Sequence, residues 1–144
     1  MSKTQMSPIS GLTHASLIVE DQDAVLAFYT EKLGFELKAD IPMEEEGDRW
    51  VTIAVPGQEG VEIALHDISW YGGRDEEQLR PLVGNNPMLV YAVEDCQAAY
   101  EDLRARGVEF VSEPKTQDYG TEAIARDVEG NTLFLVESNP DYGM

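Results

Sequence analysis

The tripeptide Val19-Glu20-Asp21, which closes an apolar run and opens an amphipathic one, returns 74 residues later as Val93-Glu94-Asp95. Leu33-Gly34-Phe35 has its counterpart in Arg106-Gly107-Val108, and Val61 to Asp67 line up with Asn131 to Glu137, so the offset holds between about 70 and 74 residues. This duplication constrains the fold more than any single motif. Both halves must build the same supersecondary unit, and a half of about 60 residues buries too little surface to stand alone.

The unit can be read from the hydrophobic periods. In the first half, LTHASLIVE (12–20) alternates as a strand, with His14, Ser16, Ile18 and Glu20 on one face. Asp21 caps a helix, DQDAVLAFYTEKLGF, whose stripe is Val25, Leu26, Phe28, Tyr29 and Leu33 and whose stop is Gly34. Strands follow at Phe35 to Lys38, at RWVTIAVPG (49–57) and at VEIALHD (61–67), with the acidic loop PMEEEGD between the first two. The second half repeats this: strand PMLVYAVED, helix CQAAYEDLRARG capped by Asp95, then strands VEFVSEP, TEAIARDVEG and NTLFLVES. ISWYGGRDEEQLRPLVGNN joins the halves as a polar linker with one helical turn at Asp75 to Leu79. The expectation is an α+β fold, two tandem βαβββ modules whose curved mixed sheets enclose a cleft. Its parts are a flexible N-terminal segment 1–10, a first module 11–67, a linker 68–86, a second module 87–138 and a C-terminal tail 139–144.

Composition narrows the functions. The 144 residues include one cysteine, Cys96, so no internal disulfide forms, and a core of this size needs none. MSKTQMSPIS lacks the apolar centre of a secretion signal, and no apolar run reaches the roughly 18 residues of a membrane span, so a cytoplasmic protein is expected. The net charge of −18 argues against nucleic acid and anionic membranes as partners. It suits a cationic small molecule, or simply a well-solvated surface. The chain has no phosphate loop, dinucleotide fingerprint or zinc-type Cys/His cluster. Cys96 opens a helix beside Asp95, which opposes thiolate formation, so it is not expected to be a nucleophile.

HASLIVEDQDAVLAFYTEKLGF (14–35) and GVEFVSEPKTQDYGTEAIARDVEGNTLFLVES (107–138) resemble the opening and closing modules of the vicinal oxygen chelate superfamily, which holds glyoxalase I, extradiol dioxygenases and bleomycin-resistance proteins. The family's Asp-Pro-x-Gly-Asn turn reads here Asp127-Val128-Glu129-Gly130-Asn131, and the resemblance spans about residues 11 to 138. It implies metal-ligand positions on two first strands and two last strands. They fall on His14, Met88, Ala64 and Phe134, of which only His14 is a competent ligand. Glu62 and His66 bracket Ala64 on one strand face, so His14, Glu62 and His66 form an alternative two-histidine, one-carboxylate set for a divalent metal. The arginine that glyoxalase I members carry four residues after the first histidine is Ile18 here, which speaks against glutathione.

The resemblance and the lost ligands together imply a small-molecule binding protein that needs no metal or other cofactor. Its organic ligand would lie in the cleft against His14, Trp50, Ala64, Met88 and Phe134, in a homodimer. His14 is also the candidate catalytic residue, since imidazole transfers protons near neutral pH. Two alternatives stay open: a metal-dependent lyase, isomerase or dioxygenase of the same superfamily, and an interaction module without a ligand. Trp50 is expected on the cleft side of its strand, with packing under the acidic loop as the other reading. Trp70 and Tyr71 in the linker read as a lid, a subunit contact, or exposed aromatics of no special role.

Overall fold

A computed structural model of the chain describes residues 7–44 and 47–141. Residues 1–6 of the N-terminal segment, Glu45 and Glu46 of the acidic loop and residues 142–144 of the tail lie outside the described residues.

The first half contains β1 (His14–Val19), α1 (Gln22–Ala27), β2 (Glu36–Pro42), β3 (Arg49–Ala54) and β4 (Glu62–Asp67). The linker carries α2 (Gly73–Leu79), longer than the single turn expected, flanked by 3₁₀ turns at Ile68–Trp70 and Arg80–Leu82. The second half contains β5 (Leu89–Ala92), α3 (Cys96–Ala105), β6 (Glu109–Gln117), β7 (Gly120–Arg126) and β8 (Thr132–Ser138). Each half forms an open, mixed four-stranded sheet, ordered β1-β4-β3-β2 and β5-β8-β7-β6. The first and last strands of each unit pair in parallel and the rest are antiparallel. The architecture is therefore α+β, as expected from tandem βαβββ units.

The repeated Asp at the head of each helix does the same work twice. Asp21 Oδ1 accepts from the Ala24 amide and Asp95 Oδ1 from the Ala98 amide, both at 3.0 Å, which satisfies an otherwise orphaned helix N–H. The first helix departs from its 3.6-residue period. After Ala27 it widens into a π turn, Phe28–Lys32, in which Phe28 and Tyr29 are both buried. The core is shared by the halves. Leu17, Val19, Val25, Val51, Ile53 and Leu65 of the first pack with Val108, Ala125 and Leu133 of the second. Among the described residues no helix is long and apolar enough to cross a membrane.

Polar ties hold one end of the interface. β1 is an edge strand, and the Asn86 carboxamide serves it as a surrogate neighbour: its Oδ1 accepts from the Ile18 amide and its Nδ2 donates to the Ile18 carbonyl, both at 2.9 Å. Asn86 is anchored in turn on Asn131 Oδ1. The turn at 127–131 reaches across as well. The Glu129 carboxylate accepts from the Glu20 and Asp21 amides, and the buried Tyr29 hydroxyl donates to Asp127 Oδ2 at 2.8 Å. Gly84 closes the approach: its φ is +73°, and a Cβ there would sit 2.5 Å from the Glu129 carbonyl oxygen.

Candidate functional site

The two-residue period divides each strand between two faces. In β1, β3 and β4 the core takes Leu17, Val19, Val51, Ile53, Ile63 and Leu65. His14, Ser16, Trp50, Thr52, Glu62, Ala64 and His66 are left on the opposite face. The parallel register sets His14 beside Glu62, Ser16 beside Ala64 and Ile18 beside His66. Glu62 thus lies directly across from His14, and Ala64, fully buried, lies one step along the strand face, between Ser16 and Thr52.

The side chains on this face form a connected set. Trp50 stands between the two imidazoles, with ring centroids 5.6 Å from each in edge-on geometry. His66 is tilted against Trp70 at 5.2 Å. Trp50 therefore shares the sheet face of His14 and His66, away from the core. Thr52 Oγ1 donates to Glu62 Oε1 at 2.7 Å, and His14 Nε2 lies 3.9 Å from that oxygen. His14 Nδ1 meets Thr13 Oγ1 at 2.9 Å. His66 is held at both nitrogens, Nε2 to Ser16 Oγ at 3.1 Å and Nδ1 to Tyr71 Oη at 2.9 Å. Burial, helped by nearby His14, lowers the His66 pKa, so the ring is neutral at pH 7. Neutral imidazole donates from one nitrogen and accepts at the other, which two hydroxyls can satisfy in either sense.

Both nitrogens of His66 are engaged by hydroxyls, and the carboxylate of Glu62 is tied to Thr52. No group of three or more His, Cys, Asp and Glu side chains is gathered to hold an ion among the described residues. His66 is partly buried beneath Trp70 and Tyr71, because the 3₁₀ turn after β4 folds the linker back over it. Cys96 is buried, and burial with Glu137 and Asp95 nearby raises its thiol pKa, as expected of an unreactive cysteine.

Phe134 lies in β8 as the register partner of Val90, and Met88 immediately precedes β5. Met88 is 51% exposed and Val90 56%. The structure therefore brings together His14, Trp50, Glu62 and His66, and no described hydrogen bond or ring contact joins them to Met88 or Phe134. Ser16 and Thr52 belong to the site and were assigned no role from the sequence, although the strand period already placed Ser16 with His14 and Thr52 with Trp50. Tyr71 had no such signal, since it lies beyond the end of β4, where periodicity stops.

Two βαβββ units sharing one core, with polar and aromatic groups collected on the outer face of one sheet, define the paired-module class of α+β proteins. The chain belongs to the glyoxalase/bleomycin resistance protein/dioxygenase superfamily, whose family model matches residues 11–135. It is 37% identical over 123 residues to the uncharacterized protein YurT of Bacillus subtilis (strain 168), covering 85% of this chain and 94% of YurT. Among solved structures it is similar to UcmS2, with 38% identity and a TM-score of 0.80 over 90% of this chain and 99% of the other. It is also similar to TnmS3, an antibiotic binding protein from Streptomyces sp. CB03234, with 27% identity and a TM-score of 0.76 over 93% and 100% of the two chains.

Proposed function

We propose that the protein binds a small organic molecule without a metal and holds it against His14, Trp50, Ala64, Met88 and Phe134. The observation that carries this reading is the likeness to an antibiotic binding protein along essentially the whole of both chains. The character of the two sheet faces supports it. One offers an indole between two imidazoles, suited to a flat ring, and the other offers methionine and aliphatic side chains. A homodimer would cover the open apolar face around Met88 and Val90 and set the two kinds of surface around one ligand. The charge of −18 favours a cationic ligand, and a cytoplasmic location fits the single reduced thiol.

Thermal shift against a panel of aromatic antibiotics, neutral and cationic, tests the reading. At 100 times its dissociation constant a ligand adds about 2.7 kcal/mol to the folded state, and Trp50→Ala should abolish that gain. Stoichiometric Ni, Zn, Mn or Fe in protein purified without chelator, lost in His14→Ala, would overturn metal independence. Indifference to every compound and every metal would favour an interaction module. A second reading, a proton-transferring lyase or isomerase, has one observation in its favour: neutral His66 is hydrogen-bonded between Ser16 and Tyr71. Its test is turnover of a bound compound that is lost in His66→Gln while binding persists.

A further inference from the structure

Opposite the polar ties, the interface between the halves is not filled. A cavity of about 470 Å³ opens there, walled by Leu33, Phe35 and Val55 of the first half and by Leu103 and Leu135 of the second. No charged side chain lines it, and neither do His14, Trp50 and His66. Strand β5 lines it along Val90 to Val93. Tyr91 packs toward the core there, on the strand face it shares with its register partner Leu135. Val90 and Ala92 alternate with Tyr91, so their side chains stand on the other face. Residues of both faces line one cavity, so the cavity meets β5 at its edge. That edge has no neighbouring strand.

The duplication shows what such an edge takes. Successive residues of a strand turn their main-chain groups to opposite sides. The Val93 amide donates to the Val136 carbonyl of β8 at 2.9 Å, so the N–H and C=O of the preceding Ala92 point to the free edge. Ala92 corresponds to Ile18, since each stands one residue before the repeated Val-Glu-Asp. Both main-chain groups of Ile18 are taken by the Asn86 carboxamide. At the same offset, the position that would serve Ala92 holds Leu12, which has no hydrogen-bonding side chain and is 71% exposed. Among the described residues no side chain bonds the Ala92 main chain. We infer that the cavity is a second binding site, for a neutral, mainly apolar small molecule that carries a primary carboxamide or a lactam. Its oxygen accepts from the Ala92 amide and its N–H donates to the Ala92 carbonyl, as Asn86 does for Ile18. Primary amides and lactams present the two groups side by side, whereas the trans amide of a peptide bond points them apart. The volume lies within the range of small-molecule pockets, and the uncharged lining favours a neutral body.

The isosteric pair para-phenylbenzamide and para-phenylacetophenone tests the inference, since the two differ only in an amide nitrogen against a methyl carbon. Titrated against the full chain and followed by amide chemical shifts, the amide should perturb Leu33, Phe35, Val90 to Val93 and Leu103, and leave Trp50 and His66 still. The Ala92 amide proton should move downfield and exchange with solvent more slowly once the compound is bound. The amide should bind about three- to tenfold more tightly than the ketone, the worth of one neutral hydrogen bond. Its N-methyl derivative, a trans secondary amide, should lose that advantage. Val55→Trp, just past the end of β3, should fill the cavity and abolish binding of all three. Equal affinity of the amide and the ketone for the wild-type chain would overturn the inference. So would unslowed exchange at Ala92, shifts centred on Trp50 and His66, undiminished binding to Val55→Trp, or no saturable shift. Because neither His14 nor Trp50 lines the cavity, its failure is separable from failure of the sheet-face reading.

Discussion

Replacing Asn86 by alanine removes the surrogate strand from the edge of β1. Two buried backbone groups lose their partners at once, the Ile18 amide and the Ile18 carbonyl, each now bound at 2.9 Å. Asn131 Oδ1 keeps the Asn86 main-chain amide, so it is not orphaned. At about 1–3 kcal/mol for each unsatisfied buried group, the loss is roughly 2–5 kcal/mol, allowing for partial relaxation. For a domain of this size about 4 °C accompanies each kcal/mol, so the melting temperature should fall by roughly 8–20 °C. Asn86→Asp sharpens the test. It keeps the acceptor for the Ile18 amide but turns a carboxylate oxygen toward the Ile18 carbonyl and Asn131 Oδ1, two acceptors. At pH 7 it should be less stable than the alanine variant. Its folded-state pKa is then raised above the ordinary aspartate value of about 4, so stability should recover as the pH falls through the raised value toward 4. Urea unfolding between pH 4 and 7.5, with the denaturant slope held as the check on two-state behaviour, measures all of this. A loss below about 0.5 kcal/mol for Asn86→Ala, or an Asn86→Asp variant no worse than alanine and flat with pH, would show that Ile18 does not depend on this amide.

Gly120→Ala should cost at least about 3 kcal/mol by urea unfolding, since φ is +149° and the new Cβ would lie 2.1 Å from the Glu137 carbonyl oxygen. Tyr29→Phe should cost only about 1–2 kcal/mol, because Asp127 Oδ2 still accepts from Asn131 Nδ2. His66 has its folded pKa below the ordinary imidazole value. The unfolded chain therefore takes up its proton first on acidification, and stability, full above about pH 6.5, should decline as the pH falls below that. His66→Gln should flatten that part of the stability–pH curve, and an unchanged slope would place the titration elsewhere.

The duplication, the two Asp caps and the core faces of the strands were legible in the sequence because each rests on a local rule: a repeat offset, a capping residue, or a period of two. The widened turn at Phe28–Lys32 was not, since the stripe of Val25, Phe28 and Tyr29 is the same one an ordinary α-helix would bury. Within the candidate site, the side of Trp50 and the shared face of Glu62 and His66 followed from alternation. The pairing of His14 with Glu62 depends on the register between β1 and β4, which forty-odd intervening residues conceal. The engagement of His66 by Tyr71 depends on where a 3₁₀ turn sends the linker, and the sequence left Trp70 and Tyr71 as a lid, a subunit contact or exposed aromatics. Asn86 is the clearest case. It sits among glycine and asparagine at a linker end, a place that reads as turn, and its importance exists only in three dimensions.

The turn at 127–131 also bears on how a duplicated chain keeps its history. A freshly doubled unit carries two complete sets of hydrogen-bond partners, and either copy could be lost. Here the helix start of the first copy is completed by Glu129 of the second, and the phenol of Tyr29 by Asp127, while the edge of β1 is completed by Asn86 at the end of the linker. In all three ties a group of the first copy is completed from the second copy or the linker. Deleting the second copy would strand buried polar groups in the first, so the duplication works as a ratchet: the copies are free to diverge in what they present outward, and the first is no longer free to part from the second.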